Sequence, residues 1–278
     1  MNNGKHDKIT ALDFIVHEFD DEIDGEFVWG LGRSHRFEKF YAADELSDPE
    51  LANRELNNII KQDPQFIDAY NSLGWWEIEF ENYGNAKELF DRAFKIGNGV
   101  IPKNFSGRII WGIIDNRPFL RAMHGLGLCY LFTNDFDKAL QVFNKMMGYN
   151  PNDNQGVRAL AIHCNIALGR FNAILEICNR YPEDILTDTL YGKVFALYKL
   201  NKAAKAKEAL KEAVNCSPLV AKELVKKRHK KIESEFPGSV TVGGADEAYD
   251  YWERLGQYWT GPDLIDFIKT GLKSLSQT

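Results

Sequence analysis

Several things are scarce in this sequence, and each scarcity removes a class of function. Its 278 residues hold four cysteines, nine prolines and six histidines. No apolar run approaches the roughly 18 residues of a membrane-spanning helix. The cysteines, Cys129, Cys164, Cys178 and Cys216, stand far apart with no C-x-x-C pair, and each falls in or beside an apolar helical pattern. They read as reduced, mostly buried thiols in a cytoplasmic protein, not as a disulfide framework. The histidines show no H-x-x-x-H or H-E-x-x-H spacing that would set two imidazoles on one helical face, so no metal site is expected. Gly30-x-Gly32 and Gly125-x-Gly127 both lack the third glycine of a dinucleotide fingerprint. Positive charge is short as well. A formal net charge of -6 opposes nucleic acid or anionic lipid as the main partner, while leaving room for local basic patches. The polar start, residues 1–8, runs into an acidic stretch, residues 17–26, and fits neither a signal nor a transit peptide. What remains, 44% hydrophobic and 27% charged, is an ordinary folded body.

What is present is a repeat. Tyr70, Leu73, Gly74, Ala86, Phe90 and Ala93 form one unit, and Met123, Leu126, Gly127, Tyr130, Ala139, Phe143 and Pro151 a second. Small residues let neighbouring helices approach, bulky ones fill the space beside them, and proline stops the second helix. Weaker units follow at Val157, Leu160, Cys164, Ala173 and Ile177, then at Leu190, Leu197, Ala206, Leu210, Ala213 and Pro218; Ala52, Leu56, Ile59 and Pro64 stand one period before the first. Asp63-Pro64, Asn150-Pro151 and Ser217-Pro218 read as helix ends, and Gly84, Asn134 and Gly169 as turns inside helical hairpins. Between the two strong units the step from Tyr70 to Met123 is 53 residues instead of 34, so about 19 extra residues lie around residues 98–118. This insertion, with Ile101, Phe105, Ile109, Ile110, Trp111, Ile113 and Ile114, is too apolar for a free loop; it packs on the array or is itself an interaction surface.

These units follow the W-x-x-L-G-x-x-Y, A-x-x-x-F, P order and so resemble the tetratricopeptide repeat (TPR) over roughly residues 36–218. Residues 115–121 and 150–158 also resemble a subset of such proteins related to the suppressor-of-tumorigenicity-seven family. The resemblance implies an all-α fold, a right-handed superhelical array of TPR-like helix-turn-helix repeats, or α-solenoid. The expected organisation is an N-terminal arm or capping helix at 1–34, about five repeats at 35–218, and C-terminal capping helices at 219–278. Within that last part, 219–231 reads as a helix with an apolar start and a basic end, and 245–257 and 262–275 as an aromatic-rich helical hairpin covering the last repeat.

In the family the first helix of each hairpin lines the concave face. Helical periodicity then offers Asn71, Trp75 and Ile78 from one repeat, and Arg121, His124, Leu128 and Leu131 from the next. Arg158, Ile162 and Asn165, then Tyr191, Phe195 and Tyr198, come from the last two. Aromatic anchors with two arginines and a histidine suit a peptide-binding groove with some carboxylate recognition, or else meet the insertion or the C-terminal hairpin. Some family members grip a chaperone's C-terminal carboxylate with lysine, asparagine and arginine; here Asn71 and His124 replace the lysines, so that clamp is not assigned.

Other chemistry is thin. The acidic residues 20–26 have Leu31 where a calcium loop needs glutamate, and His163-Cys164 point about 100° apart on a helix. The basic run from Lys226 to Lys231 reads as a solvated helix end, with anion binding as its sharper alternative. The expected function is therefore a non-catalytic scaffold for a protein or peptide partner, without cofactor, nucleic acid or membrane. An enzyme using Asp115, Arg117 and His124 between the insertion and the repeats is one alternative, and a self-associating structural protein is another.

Overall fold

The computed structural model describes residues 11–30, 33–234 and 239–275; the polar start at residues 1–8, and Leu31 and Gly32, on which readings above fall, lie outside this range. Two strands, β1 (Asp13–Phe19) and β2 (Glu22–Val28), precede thirteen helices. Five helical pairs follow in order: α1 (Arg33–Asp44) with α2 (Pro49–Gln62), α3 (Ile67–Glu79) with α4 (Tyr83–Val100), α5 (Arg117–Phe132) with α6 (Phe136–Tyr149), α7 (Val157–Ala167) with α8 (Phe171–Arg180), and α9 (Thr187–Lys199) with α10 (Ala203–Cys216). Helices α11 (Pro218–Leu224), α12 (Ala245–Leu255) and α13 (Pro262–Leu275) complete the chain. It divides into two compact units, Met1–Val157 and Arg158–Thr278.

The helix ends obey local chemistry. Asp48 caps α2 by accepting from the amides of Glu50 and Leu51, with Pro49 in the first turn where its missing N–H costs nothing. Four of the pairs turn identically. The amides of Asn82, Asp135, Arg170 and Lys202 donate to the carbonyls of Glu77, Tyr130, Asn165 and Leu197, each reaching back five residues. The residue before each donor, Glu81, Asn134, Gly169 or Asn201, sits at positive φ, as a Schellman closure requires. Glu81 rather than Gly84 makes the first of these turns, between α3 and α4; Gly84 lies inside α4.

Packing explains the repeat motif. A Cβ on Gly127 would stand 2.3 Å from the Phe143 ring, and one on Gly74 2.8 Å from Phe90. Each glycine thus lets the phenylalanine of its own second helix press onto the first. Gly125 meets Phe90 from the other side, at 2.3 Å, which locks α5 against α4.

Residues 11–30 are neither a capping helix nor a loose arm. β1 and β2 pair antiparallel, Asp13 opposite Val28, around a turn with Asp20 at φ 43°. The insertion then docks on the hairpin: the Gly25 amide donates to the Arg108 carbonyl (2.7 Å) and the Arg108 amide to the Ile23 carbonyl (2.8 Å). The Arg108 side chain takes up the carboxylates of Asp24 and Glu22, so these acids serve as ion-pair partners within the fold. Phe14, Phe27, Phe105 and Phe119 join ring to ring at 5.0–5.1 Å. Buried Asn116 closes the joint. Its Nδ2 donates to the carbonyls of Gly25 and Ile110, and its Oδ1 accepts from the Phe27 amide.

In the second unit the basic run is not a helix end. Helix α11 stops at Leu224 because His229 folds inward, its ring stacked on Trp252 at 3.6 Å and its Nδ1 2.9 Å from buried Glu223. Residues six apart face different sides of a helix, so this contact requires the chain to leave it. Helix α12 lies on α11, and α13 on α10 and α11, so the last two helices cap neighbours instead of forming one hairpin.

Candidate functional site

In the first unit the first helices α3 and α5 lie side by side, and their shared face carries the expected residues. Trp75 packs edge-on against Phe90 (5.3 Å) and His124 (6.0 Å), with Ile78 in the same cluster. Leu128 is half-buried and Leu131 buried. Burial pulls the His124 pKa down to about 4, so the ring is neutral. Asn71 is buried, donating to Asp68 Oδ1 (3.2 Å) and the Pro118 carbonyl (2.9 Å).

At the N-terminal end of this face opens a cleft of about 410 Å³. Phe37 and Tyr41 of α1 form one rim, and Ile114, Asp115 and Pro118 the other. Arg117 and Arg121 line it too, one helical turn apart and braced on Trp111, with guanidinium carbons 5.1 and 5.8 Å from the indole centre; the Arg117 Nε also donates to the Trp111 carbonyl. Asp68 is the floor. Burial raises its pKa, against the pull of Arg121 and Asn71. Tyr41 is 56% exposed and Ile114 68%.

In the second unit the corresponding face is occupied by the chain itself. Tyr191 is fully buried, bonded to the Ser217 carbonyl and the Ala221 amide and flanked by Tyr251 and Trp259. Phe195 meets Trp259 at 5.1 Å, and Tyr198 meets Phe267 at 5.1 Å. Arg158 is clamped by Asp184 at 2.7 and 2.9 Å and lies over Tyr181. Asn165 is buried, donating to Ala161, and Ile162 is buried against Gly192. The aromatic C-terminal segment thus seats on Tyr191, Phe195 and Tyr198, while Arg158, Ile162 and Asn165 are engaged by residues of the repeats themselves.

The set weighed for catalysis does not converge. Asp115 and Arg117 line the cleft, but His124 lies against Trp75 and is not among the lining residues. Cys129, Cys164 and Cys178 are buried, their thiols pushed up to about 12 by burial; Cys216 is exposed. His163, beside Cys164, packs against Tyr258, and burial lowers its pKa to about 4. Sequence reasoning missed Phe37, Tyr41 and Asp68, and named Trp111 and Ile114 only as part of the apolar insertion. Phe37 and Tyr41 belong to a repeat whose first helix matches the motif poorly, and Trp111 and Ile114 lie outside any repeat.

The model of the family described as transcriptional repressor TCF25 matches residues 33–278. The chain belongs to the TCF25 family. Both stretches that resemble the suppressor-of-tumorigenicity-seven group fall within that TCF25 match. No curated protein matches the sequence closely enough to count as a relative. Among solved structures, YrrB, described as a TPR protein with an unusual peptide-binding site, aligns at 18% identity and TM-score 0.50, covering 67% of this chain and 89% of its own. MamA (AMB-1) aligns at 13% identity and TM-score 0.40, covering 75% and 99%. With YrrB, the TPR fold of this TCF25-family chain is established.

Proposed function

We propose that this TCF25-family chain is a non-catalytic scaffold that holds a segment of a protein partner in the cleft of its first unit. The observation that carries this is the exposure of Tyr41 and Ile114 on opposite rims of a cleft with a charged floor, on the face that TPR proteins present to ligands. The description of YrrB as peptide-binding supports the ligand class, and that of the family as a transcriptional repressor supports a role in repression. Such a role extends the working place from the expected cytoplasm to the nucleus. Residues 35–218 remain the repeat array in this reading, with 1–34 and 219–278 as its flanks.

The test is affinity capture from separate nuclear and cytoplasmic extracts, using the intact chain beside a Tyr41→Ala, Ile114→Ser double variant. Both side chains are exposed, so the fold should tolerate the change. A partner recovered from the nuclear extract by the intact chain and lost at least tenfold by the variant is the expected result. Equal recovery by both would remove the cleft from the account.

A further inference from the structure

Asp68 is 4% exposed, yet both of its hydrogen bonds, from Asn71 and from Arg121 (3.4 Å), fall on Oδ1. Among the described residues no hydrogen bond falls on its Oδ2, and Asp68 lines the cleft. A carboxylate this enclosed is costly unless its oxygens are paired. Arg121 compensates it poorly, with a long single contact and a half-exposed side chain. Arg117 does not join, being held on Trp111. The cleft's apolar surface comes from Phe37 and Tyr41 on one side and Ile114 and Pro118 on the other, beside the charged Asp115, Arg117 and Arg121.

We propose that this cleft receives a lysine side chain of the partner, its ammonium on Asp68 Oδ2 and its methylene stem between Tyr41 and Ile114. This rests on the reading that the cleft is the partner site, and it names the chemistry recognised there. Lysine fits because its charge is compact and sits on a slender apolar stem, whereas a guanidinium is broad and would crowd that of Arg121. An anionic group fits less well. It would face Asp68 and would have to draw Arg121 off its existing contact. Asp44, whose charge acts on Asp68, adds to the acidic side of the balance.

The probe is an acetylated, amidated pentapeptide Gly-Leu-Lys-Leu-Gly, with counterparts carrying norleucine or glutamate at the centre. Each is titrated to millimolar concentration into the isotope-labelled full chain and followed by amide NMR shifts. The lysine peptide should shift the signals of Asp68, Ile114 and Arg121 at least tenfold more tightly than either counterpart. Asp68→Asn should abolish that preference, and Arg121→Gln, which removes the competing cation, should strengthen lysine binding several-fold. If Asp68→Asn fails to fold, Arg121→Gln carries the test alone. The proposal is overturned if the lysine peptide shifts nothing, if all three peptides bind alike, or if the glutamate peptide binds best and is lost with Arg121→Gln. Those failures leave the partner site standing if capture still depends on Tyr41 and Ile114; loss of that dependence removes the partner site itself.

Discussion

Asp184→Ala should destabilise the protein by about 3–5 kcal/mol in urea denaturation, the range for removing one member of a buried ion pair. Asp184 accepts two bonds from Arg158 (2.7 and 2.9 Å), one from the Thr189 hydroxyl (2.5 Å) and one from the Leu186 amide (3.1 Å). Without it a largely enclosed guanidinium loses its counter-charge. The effect has a pH signature. Burial pushes the Asp184 carboxyl up, but the bonds from Arg158, Thr189 and Leu186 together hold it below its ordinary value of 3.8. A carboxyl whose folded pKa is depressed contributes its full stabilisation above the unfolded value and loses it as pH falls through the folded one. The gap between wild type and variant should therefore be widest near neutrality and narrow as pH falls below about 4. The same result would distinguish the two roles considered for Arg158. As a groove residue it would affect partner binding at little cost in stability, whereas as a structural clamp it should behave like Asp184.

Asn116→Ala should cost about 3 kcal/mol or more, since it strands three buried backbone groups at roughly 1–3 kcal/mol each. Those groups, the Gly25 and Ile110 carbonyls and the Phe27 amide, tie the β-hairpin to the insertion. Hydrogen exchange at Phe27 should accelerate by orders of magnitude while α9 and α10 in the other unit keep their protection. Asn116→Asp keeps the acceptor for Phe27 but sets a buried carboxylate oxygen against two carbonyls, and near neutrality should cost at least as much as alanine. If Phe27 exchange does not change in the alanine variant, the hairpin is held by Arg108 and its aromatic contacts without Asn116.

The repeat was legible because its code is local. Gly74 and Phe90, or Gly127 and Phe143, lie sixteen residues apart on one helical pair, and their sizes make sense only if they touch. The turns were half legible. Gly169 and Asn134 announce positive φ, but Glu81 does the same work with no sequence signal, and the neighbouring Gly84 drew the assignment. The hairpin was hidden because what secures it is distant: β2 is held by Arg108 and Asn116, more than eighty residues on. Distance also misled the groove. Periodicity correctly put Tyr191, Phe195 and Tyr198 on one side of α9, but whether that side meets solvent depends on Tyr251, Trp259 and Phe267, which belong to later elements. Likewise, nothing in the composition of the basic run shows that His229 turns inward onto Trp252. Asp68 illustrates the limit most clearly: an acid in a helix's first turn reads as a complement to the dipole, and only the packed neighbours reveal it as the floor of a cleft.

Hydroxyl-radical footprinting with mass spectrometry, on the free chain and on its complex with the captured partner, tests the central claim most directly. In the free chain Tyr41 and Ile114 should oxidise quickly, and Tyr191, Phe195 and Trp259 slowly. Binding should protect Tyr41 and Ile114 several-fold and leave the α9 residues unchanged. Protection at α9 with none at the cleft would contradict the account.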